Sequence, residues 1–193
     1  MSSSTSRTRR RFGRPLLRRF LRRRDGSTAI EFSILVIPFV LLVFAILESC
    51  ISFAAQQIMT NAADDVARLY RTGQERSPSD PNQSAAEAVR LRAMVCDKMQ
   101  ILVSAGCPGL SVDLRTFNSF ASVSSIDTPI KDGDLDTGQF GAMAGGAGSK
   151  NMLRVYYKWP IITDLMRLSM SNLSGGKVLH FAMVTWQNEP YPD

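Results

Sequence analysis

The dominant feature of the hydrophobic pattern is a stretch without charge from Phe32 to Leu47, set within the segment Ser27 to Ala55 (STAIEFSILVIPFVLLVFAILESCISFAA). About 20 apolar residues rising 1.5 Å each match a hydrocarbon core of about 30 Å. The pattern predicts a transmembrane helix or an export signal rather than a soluble core helix. Pro38 would break a soluble helix but is tolerated in a membrane span. Beyond this segment the pattern changes. Ala55, Ile58, Met59, Ala62, Val66, Leu69 and Tyr70 recur at three- and four-residue steps, with Gln56, Gln57, Asn61, Asp64, Asp65 and Arg68 between them. That periodicity predicts an amphipathic continuation of the same helix, ending near Gly73. The alternative is a separate short helix joined by a kink near Glu48 and Ser49.

A turn-rich linker, GQERSPSDPNQ, covers Gly73 to Gln83. Ser84 is a candidate N-cap with Glu87 three residues on, the pattern of a capping box. The helix it opens carries Ala88, Leu91, Val95, Met99 and Leu102 on one face and ends near Gly106. Strands follow. Leu110, Val112 and Leu114 alternate with Ser111, Asp113 and Arg115, and Leu153, Val155, Tyr157 and Trp159 alternate with Arg154, Tyr156 and Lys158. Each run predicts one buried and one wet face. Val178 to Trp186 is apolar on both faces, which predicts the middle of the sheet. The order reads α-α-β-loop-β-α-β. The fold class is α+β: a long N-terminal transmembrane helix continuing into a domain with a small antiparallel sheet of about three strands.

Charge divides the chain unevenly. Of 23 Lys+Arg and 17 Asp+Glu residues, ten arginines (Arg7, Arg9, Arg10, Arg11, Arg14, Arg18, Arg19, Arg22, Arg23 and Arg24) and one acid (Asp25) lie in residues 1–26, leaving 13 basic and 16 acidic residues for the rest. The net +6 is therefore local, and everything after Gly26 is net −3. A basic run abutting an apolar segment is a cytoplasmic topology signal. Nucleic-acid binding would have to rest on this tail alone, so no nucleic-acid partner is expected.

Three readings of the N-terminal segment compete. A signal peptide cut after Ala54 would use Ser52 and Ala54 as the small residues of its site. Its apolar core is too long for that, and Glu48 sits awkwardly just before the cut. A plain uncleaved anchor is the second reading. The third starts from Gly26-Ser27-Thr28-Ala29-Ile30-Glu31-Phe32, which places Glu31 five residues after a glycine and directly behind the arginine tail. A carboxylate on the membrane side of an anchor is costly without a partner. An α-amino group freed by cutting after Gly26 would be one, since it is cationic near neutral pH.

A basic leader, a glycine, four small or apolar residues and then Glu-Phe opening a long apolar helix resemble a prepilin peptidase site of the Flp-type and TadE-type variant. Trp186-Gln187-Asn188-Glu189-Pro190-Tyr191 is similar to the ends of TadE-like proteins. The resemblance implies cleavage between Gly26 and Ser27, with Glu31, followed by Phe32, as the glutamate that pairs with a neighbour's amine during assembly. It implies a pilin-like domain and three segments: a basic cytoplasmic leader (1–26), an anchor (27–55) and a periplasmic domain (56–193). The implied function is that of a minor pseudopilin in tight-adherence (Flp) pilus biogenesis, in the inner membrane. Implied partners are a prepilin peptidase, other pilin or pseudopilin subunits, inner-membrane platform proteins and the membrane itself. A signal-anchored periplasmic binding or adhesin domain that is never processed is the rival from another class.

Candidate chemistry elsewhere is thin. Cys50 ends the apolar run as a small buried hydrophobe. Cys96 and Cys107 lie close enough to pair if the domain faces an oxidising compartment, or remain two free thiols in a reduced one. Neither has zinc-type spacing. Asp132, Asp134 and Asp136 cluster as calcium loops do, but lack a glutamate at the twelfth position, and a solvated acidic turn fits them better. The glycines from Gly141 to Gly148 lack a phosphate-loop order and predict a mobile surface loop. His180, the one histidine, falls inside the last strand. No catalytic residue, metal site or cofactor is expected.

Overall fold

The computed structural model describes residues 27–78, 80–125 and 129–192. Contacts divide the chain into two compact units, Met1–Ile46 and Leu47–Asp193. Helix α1, Ser27–Arg71, supplies the described part of the first unit and the opening element of the second. It runs without interruption through Pro38 and through Glu48 and Ser49, so there is no separate short helix. Among the described residues it is the helix long and apolar enough to cross a membrane.

In the second unit α1 is followed by a 3-10 turn, Pro81–Gln83, and helix α2, Ser84–Met99. Gln83 holds the N-cap position without a side-chain cap, so Ser84 opens the helix and forms no capping box. Glu87 is instead buried and accepts a hydrogen bond from the Tyr70 hydroxyl at 2.5 Å, with Arg90 3.5 Å away. The strands are β1 (Leu110–Phe117), β2 (Ile130–Lys131), β3 (Asp134–Leu135), β4 (Lys150–Pro160) and β5 (Lys177–Gln187), with helix α3 (Asp164–Met170) between the last two. β1, β4 and β5 form an antiparallel sheet in that order, with Leu114 opposite Leu153 and Leu153 opposite Val184.

The strand in the middle is therefore β4, not β5. Arg154 and Tyr156, expected on a wet face, are buried. Arg154 pairs with Asp113 of β1 at 2.5 Å, and Phe140, Tyr156 and Phe181 stack across the strands. Phe181 and Met183 of β5, expected to be covered, are about half exposed, whereas His180, Ala182 and Trp186 on the strand's other face are buried; β5 forms the sheet's edge. The opposite sheet face packs on α1 and α2. Ala55, Met59, Ala62, Ala63, Val66, Ala67 and Tyr70 join Leu91, Val95 and Met99 with Leu114, Leu153, Val155 and Trp186 in one cluster.

The acidic cluster is a hairpin. β2 and β3 pair around Asp132 and Gly133, both at positive φ (50° and 74°), the backbone of a type I′ turn for which Asp-Gly is favoured. Asp134 pairs with Lys158 at 2.6 Å, and Asp136 accepts from the Gly138 N–H. Cys96 and Cys107 are joined in a disulfide that ties the end of α2 to the turn before β1. Cys50, expected to be buried, is exposed. The Cys96–Cys107 bond spans 11 residues. On the loop-entropy account, Cys96→Ser with Cys107→Ser lowers the unfolding free energy by about 3 kcal/mol, a change readable by denaturant titration.

Candidate functional site

The sequence places its candidate site at the start of α1. Gly26 lies outside the described residues; Ser27 is the first described residue and is helical. Glu31 and Phe32 occupy the second turn of α1, both exposed. From Ile30 to Ile46 the helix is an almost continuous exposed apolar surface that includes Leu35, Phe39, Leu42 and Phe44. Water does not tolerate such a surface on a monomer, so it belongs in lipid or against other apolar helices. Ser33 donates to the Ala29 carbonyl at 2.7 Å, which satisfies its hydroxyl within the helix. Within this surface the charged member is Glu31.

The polar residues that follow were not singled out by sequence. Glu48, Ser52 and Gln56 are spaced four apart and so share one stripe of the helix. Glu48 holds the approach to α3, while Ser52 and Gln56 hold adjacent residues of β5. The Glu48 carboxylate accepts from the Ile162 and Thr163 backbone N–H groups and from the Thr163 hydroxyl. Ser52 Oγ lies 3.0 Å from His180 Nε2, and the imidazole stacks on Trp159 with ring centroids 5.4 Å apart. Gln56 donates to the Phe181 carbonyl at 2.8 Å and accepts from the Phe181 N–H at 3.2 Å. The amide thus pairs with β5 as a neighbouring strand would. The signal for this stripe was its four-residue spacing, although its partners lie more than 100 residues away.

His180 is 5% exposed, and burial pushes its imidazole down to about 4. It is therefore neutral at pH 7, one nitrogen a donor and the other an acceptor. Its setting is that of a packed sheet residue held by a serine hydroxyl and an indole face.

The C-terminal Asn-Glu-Pro-Tyr segment closes the far end of α1. The Glu189 N–H donates to the Arg71 carbonyl at 2.9 Å, capping the last turn. The Asn188 side chain accepts from Trp186 Nε1 at 2.7 Å and from Asn151 Nδ2 at 3.0 Å, and donates to the Gly145 carbonyl at 2.7 Å and to the Tyr191 hydroxyl at 2.9 Å. Gly73 is at φ 73°, and the Tyr191 ring fills the space a side chain there would need, 2.6 Å from where its Cβ would stand. The glycine-rich segment is therefore not a free loop. Its backbone bonds to Asn188, to Asn151 and, through Gly141 and Met143, to Leu114.

Among the described residues no set of three or more His, Cys, Asp or Glu side chains is grouped to hold a metal. The features that converge are instead an exposed apolar helix with one glutamate and a domain clasped to that helix's continuation.

A family model described as TadE-like protein matches residues 26–68. The match begins at Gly26, includes Glu31 and Phe32, and covers most of α1, so the chain carries the TadE-like segment that its N-terminal pattern resembles. No curated protein and no solved structure matches the chain.

The His180 imidazole yields a pH prediction. Unfolded it titrates near 6.5, folded near 4, so between these values the unfolded chain binds the extra proton. Stability from this group is complete above pH 6.5 and is lost as pH falls towards 4, amounting to about 3 kcal/mol. In His180→Gln this part of the acid slope should disappear, read as the difference between the two proteins' unfolding free energies from pH 7 to pH 4.

Proposed function

From the TadE-like match over residues 26–68, we propose that this chain is a minor pseudopilin-type component of tight-adherence (Flp) pilus biogenesis, processed between Gly26 and Ser27 and acting through assembly contacts rather than catalysis. The observation that carries the proposal is the coincidence of that match with a helix that bears a single glutamate, Glu31, in an exposed apolar surface. Cutting after Gly26 removes the arginine-rich leader and leaves a cationic α-amino group at the head of the helix. In low dielectric, Glu31 of one subunit and that amine of a neighbour attract strongly, while the apolar side chains around them pack in lipid.

The same reading makes the protein single-pass in the inner membrane, with the leader cytoplasmic and the domain periplasmic. The arginine tail supports that orientation by the positive-inside rule. The Cys96–Cys107 disulfide supports it independently, since such bonds persist in oxidising compartments. Partners are the prepilin peptidase, other pilin or pseudopilin subunits and the platform proteins of the machinery.

Processing is tested by the N-terminal residue of membrane-extracted protein expressed with and without its prepilin peptidase. The expected result is a terminus at Ser27 only when the peptidase is present. An intact leader in both cases makes the chain a plain anchored domain, and a terminus at Ala55 makes it an exported, released one. The assembly role is tested by Glu31→Ala, which should leave membrane insertion intact and abolish piliation. Normal pili in that variant would sink the role assigned to Glu31.

A further inference from the structure

We propose that α3 and the residues leading into it, Ile162–Met170, form a second membrane contact, lying in the interfacial layer of the bilayer beside the point where α1 leaves it. The inference rests on the membrane-spanning reading of α1.

The two ends of this segment are held at one level of α1. At its start, Ile162 and Thr163 donate to the Glu48 carboxylate, and at its end Met170 Sδ lies 3.9 Å from Ser49 Oγ. Residues 48 and 49 differ by about 1.5 Å along the helix axis, whereas a seven-residue helix is about 10 Å long. Both ends of the segment therefore reach one level of α1, that of Glu48 and Ser49.

The level is set by the exposed side of α1. Its exposed residues are apolar through Ile51 and Phe53 (49% and 74% exposed), and the next large exposed side chains are Gln57 and Asn61. The change from lipid to water thus falls just beyond Phe53. Ser49 precedes Phe53 by four residues, or about 6 Å, within the 5–10 Å depth at which interfacial helices bury their apolar side chains.

What α3 exposes at that depth is unsuited to water. Ile162 is 79% exposed and Leu168 90%, among the highest values of the described large aliphatic residues of the domain, beside Ile101 at 80%. Between them Arg167 is also exposed, with its guanidinium donating to the Ile161 carbonyl at 3.3 Å. The occupant that fits this combination is a phospholipid surface, which the neighbouring residues of α1 already occupy.

The test uses the full chain with Cys50→Ser and one added cysteine, Leu168→Cys, Val89→Cys or Phe39→Cys, each labelled with an environment-sensitive fluorophore. The proteins are reconstituted into phosphatidylethanolamine–phosphatidylglycerol vesicles with and without lipids carrying a nitroxide near the headgroup end of the acyl chain. Val89, on α2, is exposed and serves as the water-facing control. The label at Leu168 should emit to the blue of that at Val89 and be quenched at least about twofold more, as an interfacial position requires. A Leu168 label that behaves like Val89 while Phe39 is lipid-exposed overturns the inference and leaves the membrane reading standing. A blue-shifted Leu168 label that the lipid nitroxide does not quench would mean a protein partner covers it, which also overturns the inference. A Phe39 label whose emission is no bluer than that at Val89 overturns the membrane reading itself, and this inference with it.

Discussion

Beyond Leu47, α1 must present a packing face and a hydrogen-bonding face to one small domain, and both constrain everything built on it. The packing face is narrow because it is made largely of alanine. Ala55, Ala62, Ala63 and Ala67 are buried beside Met59, Val66 and Tyr70. Small side chains let the α1 backbone approach α2 and the sheet, so Leu91, Val95, Leu153 and Val155 are completely covered. A substitution that enlarged one of these alanines would force neighbours off their rotamers, at a cost of about 1–3 kcal/mol. The hydrogen-bonding face, Glu48, Ser52 and Gln56, meets the approach to α3 and the outer side of β5.

That second face addresses a problem of the topology. A three-stranded sheet in the order β1-β4-β5 leaves β5 with an outer row of backbone groups, and an open edge invites pairing with other chains. Gln56 satisfies the N–H and C=O of Phe181, and Asn172 accepts from the Leu179 N–H at 2.8 Å. Side-chain amides mimic a strand at these points without adding one. At the other sheet face the device is ionic. Asp113, fully buried, receives Arg154, Arg115 and the Gly141 N–H. A buried carboxylate so surrounded offsets its desolvation through charge-assisted bonds, and removing either arginine would leave it exposed to that penalty.

The sequence carried the parts of this that depend on period. The switch from an uninterrupted apolar run to three- and four-residue steps located α1 and its two environments, and period-two alternation located β1 and β4. It misplaced the centre of the sheet for a physical reason. Arginine and tyrosine at positions 154 and 156 look like a wet face, yet they are buried because Asp113 and the Phe140 ring complete them. The double-sided apolar character of β5 looked like burial, yet Phe181 and Met183 remain partly exposed. Likewise the glycine-rich stretch looked unstructured because its order comes from Asn151 and Asn188, whose amides bond backbone groups with no hydrophobic signature. Pairs that satisfy polar groups over long separations leave no trace in the local pattern. The TadE-like character of the N-terminal segment was legible because it is carried by neighbours in the chain, and the family match covers residues 26–68.

Glu48 shows how the two environments of α1 are coupled. A carboxylate at the edge of an apolar helix is strongly disfavoured there unless donors replace its water. Its donors are the backbone of Ile162 and Thr163 and the Thr163 hydroxyl, so they exist only once the segment between β4 and α3 has closed onto the helix. Folding of the domain therefore satisfies a group next to the apolar run. Glu31 stands at the opposite end of the run, in the unit that precedes the domain. The domain's own closure serves the glutamate at one end, and the proposed assembly contact with another subunit's amine serves the glutamate at the other.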